Sequence, residues 1–191
     1  MRFEQYLKKL RSQGQLAFTV DRAISDLDIT PNALRCGIYK LKKKNEIISP
    51  AKGLYVIVPP EYAKLGSLPP NELLAILVRH WKLPYYVCLL TAAQYYGASH
   101  QAAQVFQVMV NKRLRPIEIS GIKIEFIYKK NLQDFSLNKI TTKTGELNLA
   151  SPELLVFDLF HYRKHTGGLN NILNILSELI DENKLDIKKI K

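Results

Sequence analysis

A chain of 191 residues with 47% hydrophobic side chains can bury one large core or two small ones, and 28 Lys and Arg against 17 Asp and Glu give it a formal net charge of +11, which favours polyanionic partners. No apolar run reaches the roughly 18 residues needed to span a bilayer, and "MRFEQYLKKLRSQGQ" lacks the uninterrupted apolar stretch of a secretory signal, so a cytoplasmic protein away from membranes is expected. The two cysteines, Cys36 and Cys88, form no CxxC pair, which argues against a zinc site or a disulfide framework and leaves reduced thiols, no metal and no cofactor as the expectation.

"FEQYLKKLRSQ" (3–13) spaces Phe3, Tyr6, Leu7 and Leu10 for one face of a helix, with Gly14 as its stop. "TVDRAISDL" (19–27) predicts a second helix with Thr19 as N-cap, burying Val20, Ala23, Ile24 and Leu27, and "DI" closes it in a tight turn. Thr30-Pro31 then makes a strong helix start, because the hydroxyl accepts a backbone N–H while proline fills the first helical position, where no donor is needed. At about 100° per residue, Leu34, Ile38 and Leu41 share a narrow inward sector. Asn32, Cys36, Tyr39, Lys40 and Lys43 point the other way, with Arg35 on the flank. "EIIS" and "GLYVIV" follow as short strands around a "PAKG" turn. This order of helix, helix, turn, helix and hairpin predicts a winged helix-turn-helix over residues 1–60.

The Pro- and Gly-rich "PPEYAKLGSLPP" predicts a linker, placed at 61–70, and a larger mixed α/β domain over 71–191. The expected fold class is therefore α+β. In the second domain "NELLAILVRHWK" and "YYVCLLTAAQYYG" read as helices broken at Leu83-Pro84, and "QVFQVMVN", "RPIEIS" and "IKIEFIYKK" as strands, the last two joined at Ser120-Gly121. "SPELLVFDLFHYRK" and "LNNILNILSELIDE" read as helices, the latter carrying Leu169, Ile172, Ile175, Leu176 and Leu179 on one stripe.

Charge concentrates where the third helix lies: residues 30–52 hold six basic side chains, Arg35, Lys40, Lys42, Lys43, Lys44 and Lys52, against Glu46. Lysines late in a helix also suit the macrodipole, but an acid-free helix pinned by three aliphatics has the form that enters a DNA major groove. Asn32, Arg35 and Tyr39 occupy its first turns, where side chains reach base edges; Lys40, Lys42, Lys43 and Lys44 lie later, suited to phosphates, with Lys52 at the tip of the wing. Double-stranded DNA fits better than RNA, whose A-form major groove is too narrow to read. Enzymatic readings are thinner. His161 and His165 are four apart but have no third ligand at a zinc spacing, and Asp158 three residues before His161 has no accompanying nucleophile. "TGGLNN" reads as a loop and helix start, and the pairs Tyr85-Tyr86 and Tyr95-Tyr96 read as core or interface more readily than as base-stacking platforms. No catalytic residues are expected.

In its order of parts the chain resembles the AbiEi-type antitoxins, transcriptional regulators from bacterial abortive-infection toxin–antitoxin pairs. The stretches that carry the likeness are "FTVDRAISDLDITPNALRCGIYKLKKKNEIISPAKGLYVIVPPEY" (18–62), "CLLTAAQYYGAS" (88–99), "FQVMVNKRLRPIEISGIKIEFIYKK" (106–130) and "LASPELLVFDLFHYRKHTGGLNNILNILSEL" (149–179). The resemblance implies a winged helix binding inverted repeats in the operon's own promoter, with two copies side by side, and a C-terminal domain for antitoxin action and cooperative binding. It also implies a nucleotidyltransferase-like toxin encoded by a neighbouring gene. On this sequence it places recognition on Asn32, Arg35, Tyr39, Lys40 and Lys43, with Lys52 on the wing, and leaves Lys112, Arg113 and Arg115 of "NKRLRP", with the end of "IYKK", as added contacts to DNA or toxin. The alternative is an interaction protein that neutralises the toxin by direct binding, with no dominant DNA role.

Overall fold

Residues 3–99, 104–132 and 136–185, described by a computed structural model, hold seven α-helices and two β-sheets, an α+β architecture. The chain divides into two units, Met1–Trp81 with Glu118–Ile122, and Lys82–Ile117 with Lys123–Lys191.

In the first unit, α1 (Phe3–Ser12) leads to β1 (Ala17–Thr19), α2 (Val20–Leu27), α3 (Pro31–Lys43), β2 (Ile47–Ala51) and β3 (Leu54–Ile57). The strands form an antiparallel sheet in the order β1-β3-β2. Amphipathic spacing explains the packing: Tyr6, Leu7 and Leu10 of α1, Ala23 and Leu27 of α2, and Leu34, Ile38 and Leu41 of α3 meet Phe18, Ile47 and Ile57 in one core. Each fully buried aliphatic side chain there contributes about 1.5–3 kcal/mol. Phe18 stands edge-on to both Phe3 and Tyr6, with ring centres 6.0 and 5.9 Å apart. The Thr19 hydroxyl accepts from the Arg22 N–H, capping α2, and Asp28 ends that helix in the left-handed region at φ 50°.

Two local differences from the sequence reading have simple causes. Pro50 and Ala51 belong to β2, which is irregular between Ile48 and Ala51, and the reversal falls on Lys52-Gly53, with Gly53 at φ 76°. Proline has no N–H to give a ladder, so the strand bends there and the turn moves on. The stretch expected to link two domains forms a 3-10 turn at Pro60–Tyr62 and buries Ser67 and Leu68; α4 (Pro70–Trp81) then runs to the end of the first unit's main segment. The Tyr62 hydroxyl donates to the buried Glu72 carboxylate at 2.7 Å.

The second unit contains β4 (Tyr85–Val87), α5 (Leu89–Tyr95), β5 (Phe106–Val110), the first residue of β6 (Ile117–Ile119), all but the first residue of β7 (Ile122–Tyr128), β8 (Leu137–Thr142), β9 (Gly145–Ala150), α6 (Pro152–His161) and α7 (Leu169–Asp181). The sheet order is β6-β7-β5-β4-β9-β8. β5 pairs parallel with β7, and β4 parallel with β9 at Val87 and Leu149, whereas β4–β5 and β8–β9 are antiparallel. Every residue of β5 is buried, as a central strand requires. The expected helix "YYVCLLTAAQYYG" is instead strand β4 followed by α5; Cys88 lies between them, and Leu89 opens the helix at φ 49°. Ser120 and Gly121, at φ 50° and 79°, make the two-residue reversal between β6 and β7. On α7, Ile172, Ile175 and Leu179 are buried while Leu169 is 57% exposed, so the expected stripe is rotated toward its inner edge.

Candidate nucleic-acid interface

α3 is fixed at both ends. The Thr30 hydroxyl accepts from the Ala33 N–H at 3.3 Å and Pro31 opens the first turn. At the other end the Glu46 N–H reaches the Leu41 carbonyl and the Asn45 N–H the Lys42 carbonyl, each at 3.0 Å, with Asn45 left-handed at φ 55°. This is the pair of bonds that satisfies the last carbonyls of a helix, with asparagine in the place glycine often takes. Leu34, Ile38 and Leu41 are 1, 7 and 3% exposed, so the helix has no freedom to roll.

The opposite face is open. Asn32, Arg35, Tyr39, Lys40, Lys42, Lys43 and Lys44 are all exposed, as is Lys52 at the β2–β3 turn. Several of these cations are already oriented. Lys43 Nζ lies 4.9 Å from the centre of the Tyr39 ring and Lys42 Nζ 5.5 Å from that of Tyr55. Lys44 is held differently from its neighbours, 3.4 Å from a Glu4 carboxylate oxygen and 4.0 Å from one of Glu46. Exposed pairs of this kind contribute about 0–1 kcal/mol, so a phosphate can displace them. Cys36 is exposed on the same helix.

In the second unit Lys112, Arg113 and Arg115 are exposed, and the Arg113 guanidinium sits 5.3 Å from the Tyr128 ring centre. Lys129, at the end of "IYKK", is not offered outward. Its ammonium donates to Asp158 Oδ1 at 2.8 Å and to the Tyr86 hydroxyl at 3.0 Å, while Tyr86 donates to Asp158 Oδ2 at 2.8 Å. Burial, then the Asp158 charge, pushes the Tyr86 phenol far above its ordinary range, and burial does the same to the Cys88 thiol. Asp158 is therefore a packed ion-pair partner 1% exposed, and the acid–base pair with His161 is not formed. His161 ends α6 and His165 lies on a separate 3-10 turn, so the two histidines do not share a helix. Glu125 is instead the residue 3.1 Å from His165 Nδ1, a partner 40 residues away that sequence spacing could not reveal. No group of three or more His, Cys, Asp or Glu among the described residues is arranged to hold a metal ion, and no helix among them is long and apolar enough to cross a membrane.

Comparison with known proteins finds the AbiEi antitoxin C-terminal domain at residues 85–190. No curated protein matches the chain. Among solved structures, the crystal structure of the RV2827C protein from Mycobacterium tuberculosis is similar, with a TM-score of 0.68 at 15% identity over 98% of this chain and 69% of that one, a likeness of fold. With the matched domain spanning more than half of its residues, the chain belongs to the AbiEi antitoxin family of toxin–antitoxin systems.

Proposed function

We propose that the first unit is a winged helix-turn-helix and that the chain is an antitoxin and transcriptional autorepressor of its own toxin–antitoxin operon. In this reading α3 enters the major groove of promoter DNA, Asn32, Arg35 and Tyr39 meet base edges, and Lys40, Lys42, Lys43, Lys44 and Lys52 meet phosphates. The single observation that carries it is an acid-free helix, pinned by Leu34, Ile38 and Leu41, with every candidate contact exposed. Two copies would occupy an inverted repeat, and the toxin counteracted is nucleotidyltransferase-like. The chain itself acts without catalysis or cofactor, inside the cytoplasm.

A mobility shift with the region upstream of the operon tests this reading. Retardation that weakens steeply with salt, and is lost on replacing Arg35 and Lys43 together, is expected; no retardation at low salt rejects it.

A second reading, neutralisation by direct toxin binding, is favoured by Phe157 and Phe160, 50 and 45% exposed on adjoining positions of α6. Copurification with the neighbouring gene's product that survives high salt separates it from the first.

A further inference from the structure

Four aliphatic side chains of α7 face away from the core into which the same helix packs. Leu169, Leu173 and Ile180 are 57, 52 and 46% exposed, and Leu176 among them is partly buried. At about 100° per residue the four fall within one sector of about 60°, roughly a quarter-turn from the buried Ile172, Ile175 and Leu179. Their successive spacings of 4, 3 and 4 residues are those of a coiled-coil seam, and they read the same in either direction along the helix. Turned end for end, α7 sets Leu169 against Ile180 and Leu173 against Leu176. A two-fold pair of these helices therefore covers all four positions at once, the self-complementary geometry of most dimers.

Charge points to the same occupant. A helix dipole favours acids near the N-terminus and cations near the C-terminus. α7 has neither: no acidic residue lies in its first turn and no basic residue in its last. Instead the exposed Arg163 and Lys164 precede its start on a 3-10 turn, and Asp181 and Glu182 close its end. In an antiparallel pair the acidic end of each copy comes to the basic start of the other, and the two dipoles oppose. Charges that are unfavourable within one chain become favourable between two. Asp181 of one copy falls level with Gly168 of the other in this register, four residues from Lys164. Glu182 already has Lys184 beside it, so Asp181 carries most of the new attraction. A parallel pair would instead bring like charges together at both ends.

We propose that two copies of this chain associate through α7, antiparallel about a two-fold axis, with Leu169, Leu173, Leu176 and Ile180 as the seam. The contact uses none of the residues assigned to DNA and forms without it. A helix of 13 residues is about 20 Å long, and one such face is smaller than the interface of about 1,200–2,000 Å² that a stable complex buries. The association is accordingly weak and concentration-dependent.

Sedimentation equilibrium of the full chain, reduced and without DNA, at concentrations up to about 1 mM tests the proposal. A monomer–dimer equilibrium is expected, weakened at least tenfold in Leu173→Glu and severalfold in Lys164→Glu, both changes at exposed positions. A monomer at every concentration, including one whose α7 face binds the neighbouring gene's product instead, overturns the assignment, as does association of Leu173→Glu equal to that of the parent chain. Cross-linking reads the orientation. In chains that carry Cys36→Ser, Leu169→Cys mixed with Ile180→Cys should form bridges between unlike chains under mild oxidation. Neither should bridge to itself, because like positions stand about 16 Å apart along the pair. Leu169→Cys joined to Leu169→Cys overturns the antiparallel arrangement.

Discussion

Asp158 accepts hydrogen bonds from Tyr86 and Lys129 deep in the second unit. Removing one member of a buried pair leaves the other charge uncompensated, which costs about 3–5 kcal/mol. Asp158→Ala is therefore expected to lower the unfolding free energy by about that amount in urea melts; a change under 1 kcal/mol would mean that Lys129 finds water instead. Tyr6 gives a pH-dependent counterpart. Burial, reinforced by its hydrogen bond to Asp26, pushes the phenol from its ordinary value of 10.0 up to about 12. The folded state thus holds this proton more tightly than the unfolded chain. The resulting stability is complete below pH 10.0 and is lost as pH rises toward about 12. Alkaline melts of Tyr6→Phe should show a shallower decline across that window than those of the parent chain.

At the scale of single elements, α3 couples its caps to its surface. Thr30→Ala removes the acceptor for the Ala33 N–H, with an expected cost of about 1 kcal/mol. Thermal melts measure that loss, and under the proposed DNA role affinity should fall with it, because the first turn carries Asn32. α3 was legible because several signals coincide: Thr-Pro at the start, three aliphatics at helical spacing, and an uninterrupted basic run. Strand β4 was not. "YYVC" is a short apolar stretch running directly into the helical "LLTAAQYYG", and periodicity over so few residues cannot separate a buried strand from a helix. β8 and β9 are not legible in the sequence for a different reason. "LNKITT" and "GELNLA" are polar at alternate or adjoining positions and acquire their strand character from pairing with each other. The Glu125–His165 and Lys129–Asp158 partnerships were hidden as well, because each joins the β7 region to a helix or turn that follows much later in the chain.

For the molecule as a whole, the proposed DNA role makes a quantitative statement about salt. If Lys40, Lys42, Lys43, Lys44 and Lys52 each neutralise one phosphate, the logarithm of affinity should fall with the logarithm of salt at a slope of about −4.5 per chain. Replacing Lys52 should reduce that slope by about 0.9 without changing sequence preference, whereas Arg35→Ala should cost about 1–3 kcal/mol and relax one base position. A joint replacement of Lys112, Arg113 and Arg115 separates their two proposed uses: a shallower slope assigns them to DNA, and an unchanged slope with lost toxin neutralisation assigns them to the toxin.

The first unit's main core draws on side chains from Tyr6 to Ile57, whereas the sheet of the second joins Val87 to Leu149. During synthesis from the N-terminus, at about 5–20 residues per second, the first set of partners has left the ribosome while the second is still being translated. A nascent chain halted near its middle should therefore already protect its leading third from protease, with the antitoxin domain still open.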